Sequence, residues 1–97
     1  KDLIFSANKL SPELGVKLLK TIEDHQVAQV SLLVNEVTIK EPVQFLMDLS
    51  SKIVSLCIYH IYDFPRRPYL FGVSDENWVT IIFEMFARRL NKLQIIN

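Results

Sequence analysis

The apolar stretch from Glu41 to Phe64 constrains the fold of this chain more than any other segment. Glu41-Pro42 is typical of a helix start, because proline at the first helical position loses no hydrogen bond and an acid complements the positive end of the helix dipole. Apolar side chains then recur at helical spacing until Pro65 ends the pattern. The spacing therefore predicts one long core helix over this segment.

A membrane span is the rival interpretation of the same stretch. Charged or titratable side chains interrupt it, and no charge-free apolar run approaches the roughly 18 residues that a span requires. We therefore expect a core helix and no membrane span. The interrupting residues are Asp48, Lys52, His60 and Asp63.

Two further helices are predicted from their start signals. Ser11-Pro12-Glu13 combines a capping serine, a first-turn proline and an acid, and predicts a helix that frays near His25. Ser74 precedes two acids and predicts a last helix. The predicted buried stripe of that helix is Val79, Ile82, Phe83, Phe86, Leu90 and Leu93, with Trp78, Ile81 and Met85 on its flanks.

The remaining segments are assigned less regular structure. Residues 1–10 are interpreted as an arm, and residues 27–40 as a helix to about residue 35 followed by extended chain, because valines recur at helical spacing there. A two-stranded hairpin across Asn35-Glu36 is the alternative. The predicted fold is thus all-α, a small bundle of three to four helices with an extended loop rich in aromatic residues and proline. The alternative fold is α+β with a short hairpin in residues 27–40.

Composition and charge narrow the function classes. Eleven basic and eleven acidic residues cancel, so no overall field attracts nucleic acid or an acidic membrane. A lone cysteine indicates a reducing compartment, and we predict an intracellular (cytoplasmic or nuclear) protein. We detect no internal repeat, and predict one domain over residues 1–97, excised from a longer protein because the chain begins with Lys1.

Catalytic motifs are scarce, and we predict a non-catalytic chain with no cofactor, metal or small-molecule substrate. Two glycines exclude a glycine-rich phosphate loop, and two histidines with one cysteine fall short of a zinc site. Cys57 lies among apolar neighbours, which favours an inert core thiol. His60 and Asp63 lie three apart, so the alternative is a small enzyme or regulatory subunit using them as a general base.

The densest unusual feature is the aromatic segment between Tyr59 and Trp78, which also holds two arginines. Aromatic and arginine side chains dominate protein-binding hot spots, because they bury large areas while keeping a polar end to pair. The segment therefore predicts a docking loop, although the same aromatics could instead fold back over helix ends. The predicted partner-binding residues are Tyr62, Phe64, Arg66, Arg67, Tyr69, Phe71 and Trp78.

The favoured function is a protein–protein interaction or assembly domain, a scaffold within an intracellular complex. The apolar fraction of 49%, counted without glycine, supports this because it leaves apolar surface for a partner. That partner is another protein or a second copy. A self-associating domain with Trp78, Ile81 and Met85 on its shared face is one alternative. A nucleic-acid-binding module is another, disfavoured by neutral charge, and would use Arg66, Arg67, Arg88 and Arg89.

Residues 8–15, NKLSPELG, resemble the opening of the extraterminal domain of bromodomain proteins. The resemblance implies a small helical module that binds peptides. That family has an acidic strand after this helix, whereas this chain reads VAQVSLLVNEVTI there. We therefore infer no membership in the family.

Overall fold

The computed structural model describes residues 1–60, 71 and 73–96, in which strands and helices alternate along the chain. The strands form one parallel sheet in the order β1-β2-β3-β4, so the fold is α/β and the predicted all-α bundle is wrong. The elements are β1 (Asp2–Leu10), α1 (Pro12–His25), β2 (Gln29–Val37), α2 (Pro42–Lys52), β3 (Ser55–His60), α3 (Asp75–Ala87) and β4 (Lys92–Ile96).

All three described helices lie against one face of this sheet. Strands that follow each other in the chain are neighbours in the sheet, and right-handed crossovers then place every helix on the same side. Consistently, α1 packs on α2 and α2 packs on α3. Burial alternates along the central strands: Leu32 and Ile58 are fully buried, whereas Leu33 and Tyr59 are exposed. The helices therefore cover one face and leave the other open.

The strand register reveals a structural repeat. Partners in β1 and β2 lie 27 residues apart (Asp2 and Gln29), those in β2 and β3 lie 26 apart (Gln29 and Ser55), and those in β3 and β4 lie 37 apart (Ser55 and Lys92). The same backbone bond precedes each later strand, from the N–H groups of residues 28, 54 and 91 to the carbonyls of residues 1, 28 and 54, each at 2.9 Å. The distance of 37 residues between β3 and β4, against 26 and 27 for the other pairs, makes this repeat difficult to recognise in the sequence.

Each repeat has apolar residues at the same inward-facing positions. A buried residue precedes the strand, and the next inward positions follow three and five residues later. This pattern places one apolar layer between the sheet and the helices, where fully burying each such side chain contributes roughly 1.5–3 kcal/mol. The repeated sets are Val27, Val30 and Leu32, then Ile53, Leu56 and Ile58, and then Leu90, Leu93 and Ile95.

The first predicted helix is confirmed. The Leu14 N–H donates to Ser11 Oγ at 3.3 Å, which satisfies one of the unpaired groups at the start of α1. The helix ends at His25, as its predicted fraying point indicated, and Leu18 and Ile22 face the core. Local signals were sufficient here because capping and amphipathicity agree.

The predicted long helix from Glu41 to Phe64 is wrong, although its start at Pro42 is confirmed. Helix α2 ends at Lys52, where the hydroxyls of Ser50 and Ser51 donate to the Met47 carbonyl at 2.8 and 3.0 Å. Such bonds compete with the helical ladder. The chain then extends into β3, where Leu56 and Ile58 are buried while Tyr59 faces the other side of the sheet and is exposed.

Three further expectations need correction. Residues 2–10 are strand β1 and residues 29–37 are strand β2, so the predicted arm and the predicted helix to about residue 35 are wrong, and the alternative hairpin does not form either. Helix α3 begins after Ser74 as predicted, but it ends at Ala87, and β4 follows. Its buried side is rotated from the predicted stripe, because Trp78, Ile81 and Met85 occupy the core. These three residues are therefore buried, and not on a shared surface.

The described helices are all too short or too polar to cross a bilayer.

Candidate functional site

The candidate site is the sheet face opposite the helices, which we call the open face. It exposes three large apolar side chains: Ile4 (72% exposed), Leu33 (37%) and Tyr59 (39%). Parallel sheets usually have both faces covered, so a face on which no described helix packs is unusual. The open face comprises Asp2, Ile4, Ser6 and Asn8 of β1, Gln29, Ser31, Leu33 and Asn35 of β2, Ser55, Cys57 and Tyr59 of β3, and Lys92, Gln94 and Ile96 of β4.

Register places these side chains in rows across the strands. Ser6, Leu33, Tyr59 and Ile96 form one row, in which the apolar groups are adjacent. Neighbouring side chains on one face of a sheet lie about 5 Å apart, so Leu33 and Tyr59 are in contact distance. The row therefore presents a continuous apolar and aromatic band rather than isolated exposed residues.

Polar groups surround this band in defined positions. Asn35 Nδ2 donates to Asn8 Oδ1 at 2.8 Å, which links β1 and β2 at the carboxyl end of the strands. A shallow cleft of about 300 Å³ lies beside this pair, and its lining includes Ser6, Leu33 and Tyr59. Amide and hydroxyl groups around an aromatic side chain suit the recognition of peptide groups, which are hydrogen-bond donors and acceptors without charge.

The Tyr59 phenol is held in its neutral form. A hydrogen bond with the Cys57 side chain raises the pKa of Tyr59 above its usual 10.0, and the electrostatic interaction with Cys57 and desolvation act in the same direction. The Cys57 Sγ also lies 4.0 Å from Gln94 Oε1. Because the pKa of Tyr59 is raised in the folded protein, its hydrogen bond with Cys57 contributes fully to stability below pH 10. This contribution is lost as pH rises through the pKa of Tyr59 in the folded state.

The open face carries little charge. Its charged residues are Asp2 and Lys92, which occupy one register row at the amino ends of the outer strands. Phosphate groups are bound mainly by clustered lysine and arginine side chains. The chemistry of this face therefore suits an uncharged, partly apolar ligand surface.

The residues predicted from the sequence to bind a partner do not lie on this face. Phe71 and Trp78 are buried in the core, and the other five fall outside the described residues. The docking loop between them therefore stays a prediction. Cys57, predicted to be a core thiol, is half-buried on the open face beside Gln94.

The alternative catalytic and nucleic-acid sites are also only partly described. Asp63, Arg66 and Arg67 lie outside the described residues, as does the side chain of His60. Arg88 Nη1 donates to Ser51 Oγ at 3.2 Å, and Arg89 lines a cleft between the ends of the helices. Within the described part of the chain, no three His, Cys, Asp or Glu side chains form a group that could hold a metal ion.

The cleft that includes Arg89 is closed on one side by an ion pair between α1 and α2. The Glu23 carboxylate accepts a hydrogen bond from Lys52 Nζ. That bond and the charge of Lys52 hold the pKa of Glu23 below its usual 4.5, opposed by slight desolvation and assisted weakly by Lys20. The pair therefore contributes to stability above pH 4.5, and its contribution is lost as pH falls through the pKa of Glu23 in the folded protein.

We expect Lys52→Met to return the pKa of Glu23 towards 4.5, because it removes the two largest of the three causes of the lowering. Carbon-13 NMR titration of the carboxyl group measures this directly. Lys20→Met is the matched control, since it removes one positive charge from the same region but only the weakest cause. A larger change in Lys20→Met than in Lys52→Met would contradict the assignment of the pair.

No family model matches this chain, and no curated protein or solved structure does either.

Proposed function

We propose that this chain is a non-catalytic protein–protein interaction domain that binds a partner through the open face of its sheet. The observation that carries the proposal is a parallel sheet whose described helices all lie on one face, with Ile4, Leu33 and Tyr59 exposed on the other. Exposed apolar groups within a polar surround mark interaction sites on soluble domains. The partner is a protein, because the face combines apolar, amide and hydroxyl groups with almost no charge.

The repeat architecture supports the same function. The inward positions follow the L-x-x-L-x-L spacing that is typical of leucine-rich repeats, as in Ile53, Leu56 and Ile58. In such solenoids the strands of successive repeats line one continuous surface, and that surface is commonly the binding face. The likeness is one of spacing and architecture, and it favours binding over catalysis.

The test is a double substitution on the open face, Leu33→Thr with Tyr59→Thr. Threonine keeps the preference for strand structure while removing the apolar and aromatic area. We expect partner affinity to fall at least about 30-fold, which corresponds to the roughly 2 kcal/mol of a binding hot spot. Partners are identified by quantitative affinity purification, and each dissociation constant is then measured by titration with the purified partner.

Val43→Thr is the matched control, because Val43 on α2 is 38% exposed, close to the 37% of Leu33, but lies on the helical side. The control should bind like the wild type, and circular dichroism should show all variants folded. Equal binding by the double variant and the wild type would refute the open face as the contact surface.

A further inference from the structure

The open face carries its two charged side chains at opposite ends of one register row. Asp2 of β1 and Lys92 of β4 share this row with Gln29 and Ser55, which lie between them. Three strand spacings, about 14 Å, separate the two charges, which is too far for a direct ion pair. The ion pairs in the described part of the chain involve neither side chain. Both charges are therefore open to a partner.

The apolar groups of the open face are arranged evenly about the line between β2 and β3. Leu33 and Tyr59 are register partners on the two sides of this line, and they are similarly exposed, at 37% and 39%. Turning the face over about that line exchanges the positions of these two side chains. It also exchanges the position of Asp2 with that of Lys92. The face is thus complementary to itself, acid to base and apolar to apolar.

We propose that the partner is a second copy of this chain, an inference that rests on the proposed function of the open face. The two open faces pack about a two-fold axis that runs parallel to the strands between β2 and β3. Leu33 of each copy then lies against Tyr59 of the other, and Asp2 of each copy pairs with Lys92 of the other. Stacked sheets lie about 10 Å apart with their strands within about 30° of each other. The flexible side chain of lysine accommodates that angle.

The other two-fold arrangement of stacked faces fits these residues less well. An axis across the strands would make the strands of the two copies antiparallel and place amino ends over carboxyl ends. Asp2 would then lie opposite Asn8 of the second copy, and Leu33 opposite Ser31. The acid would have no base and the leucine no apolar partner. The charges and the apolar groups therefore both favour the axis along the strands.

The contact area is adequate for a reversible dimer. The described strands are five to nine residues long, and strands in a sheet lie about 4.8 Å apart, which gives the open face a flat area of roughly 450 Å². Two such faces bury about 900 Å² before the interlocking of side chains is counted, close to the ~1,000 Å² that a specific interface requires. We therefore expect a dimer that dissociates on dilution.

The test is the mass of the 97-residue chain by sedimentation equilibrium over a concentration series. We expect a reversible dimer, and we expect Asp2→Lys and Lys92→Asp each to weaken it at least about tenfold, because each places like charges together at both ends of the row. Asp24→Lys is the matched control, since it reverses an exposed acid on α1, on the helical side of the sheet. The control should dimerise like the wild type.

Mixing the two charge variants separates this arrangement from other dimers. A pair formed by one Asp2→Lys chain and one Lys92→Asp chain has opposite charges at both ends again. Equimolar mixing should therefore restore dimerisation, and so should combining both substitutions in one chain. At about 1 M salt the screening length is only about 3 Å, so the loss caused by each single charge reversal should shrink.

The outcomes distinguish this inference from the proposed function. A wild-type chain that stays monomeric would overturn the inference and leave the open face to be tested with a different partner protein. A dimer that Leu33→Thr with Tyr59→Thr abolishes, but that both charge reversals leave unchanged, would overturn the two-fold arrangement while supporting the open face. Charge variants that weaken the dimer but are not rescued by mixing would also overturn the arrangement.

Discussion

Replacing Ile58 with alanine is expected to lower the free energy of unfolding by about 3 kcal/mol. Ile58 is fully buried at the centre of β3, between Leu32 of β2 and Ile95 of β4 in the register. The helices cover it, so the lost methyl and methylene groups leave a cavity that the packed layer fills only in part. Urea denaturation, read from the midpoint at constant slope, measures the loss.

Ile95→Ala is the matched control, because it deletes the same atoms one strand away in the same register row. Ile95 is 38% exposed, so we expect a loss on the order of 1 kcal/mol. Equal losses of stability in the two variants would indicate that Ile58 and Ile95 are equally buried. That result would contradict a sheet order in which β3 is central and β4 is at the edge of the described sheet.

Replacing Gly15 with leucine is expected to destabilise the protein by about 2 kcal/mol, because it forces α1 away from α2. Gly15 is buried, and a Cβ atom built on it lies 3.0 Å from Ile39 Cδ1 and 3.4 Å from Phe45 Cε1. A leucine side chain adds three carbon atoms beyond that Cβ, next to these two side chains. Urea denaturation and near-ultraviolet circular dichroism report the loss of stability and of packing.

Val16→Leu is the control for Gly15→Leu, since Val16 is the next residue of α1 and is mostly exposed. Its effect should stay within about 0.5 kcal/mol, as for most surface substitutions. Gly15→Ala tests the contact more gently, because only the movable end of Ile39 stands in the way and alanine favours the helix by up to about 1 kcal/mol. A tolerated leucine would show that α1 and α2 do not pack at this point.

Local sequence signals predicted the helix starts well. Ser11-Pro12 and Ser74 mark the starts of α1 and α3, and Glu41-Pro42 marks that of α2. Each signal depends on residues within one helical turn, so no distant residue changes its meaning, although of these three N-cap residues only Ser11 accepts a side-chain capping bond. The amphipathic pattern of α1 was decisive for the same reason.

The same local approach failed wherever an apolar run was short. Residues 55–60 fit helical spacing as well as strand spacing, because Cys57 and Tyr59 on the open face are themselves largely apolar and obscure the alternation of buried and exposed residues. The valines of residues 27–37 also fit helical spacing, so a helix was predicted where strand β2 forms. A search for recurring L-x-x-L-x-L spacing would have found both strands, together with the inward residues of β4.

The candidate site could not be predicted from local sequence patterns. Ile4, Leu33 and Tyr59 lie far apart in the chain and meet only because three strands pair in parallel. The aromatic segment near Tyr59 was identified as a binding region, and Tyr59 itself lies on the open face, whereas Phe71 and Trp78 contribute to the core. Aromatic density therefore did not separate surface from interior.

The sequence by itself determined where the helices begin, which side of α1 is apolar, and that the chain is nearly neutral, because these properties depend on neighbouring residues or on composition. Tertiary structure alone decided that β3 is a strand, that α3 buries Trp78 and Met85 rather than Phe83, and that one face of the sheet stays open. The physical reason is distance along the chain. Residues in β3 find their partners 26 residues earlier and 37 later, so pairing and burial depend on contacts that no local pattern contains.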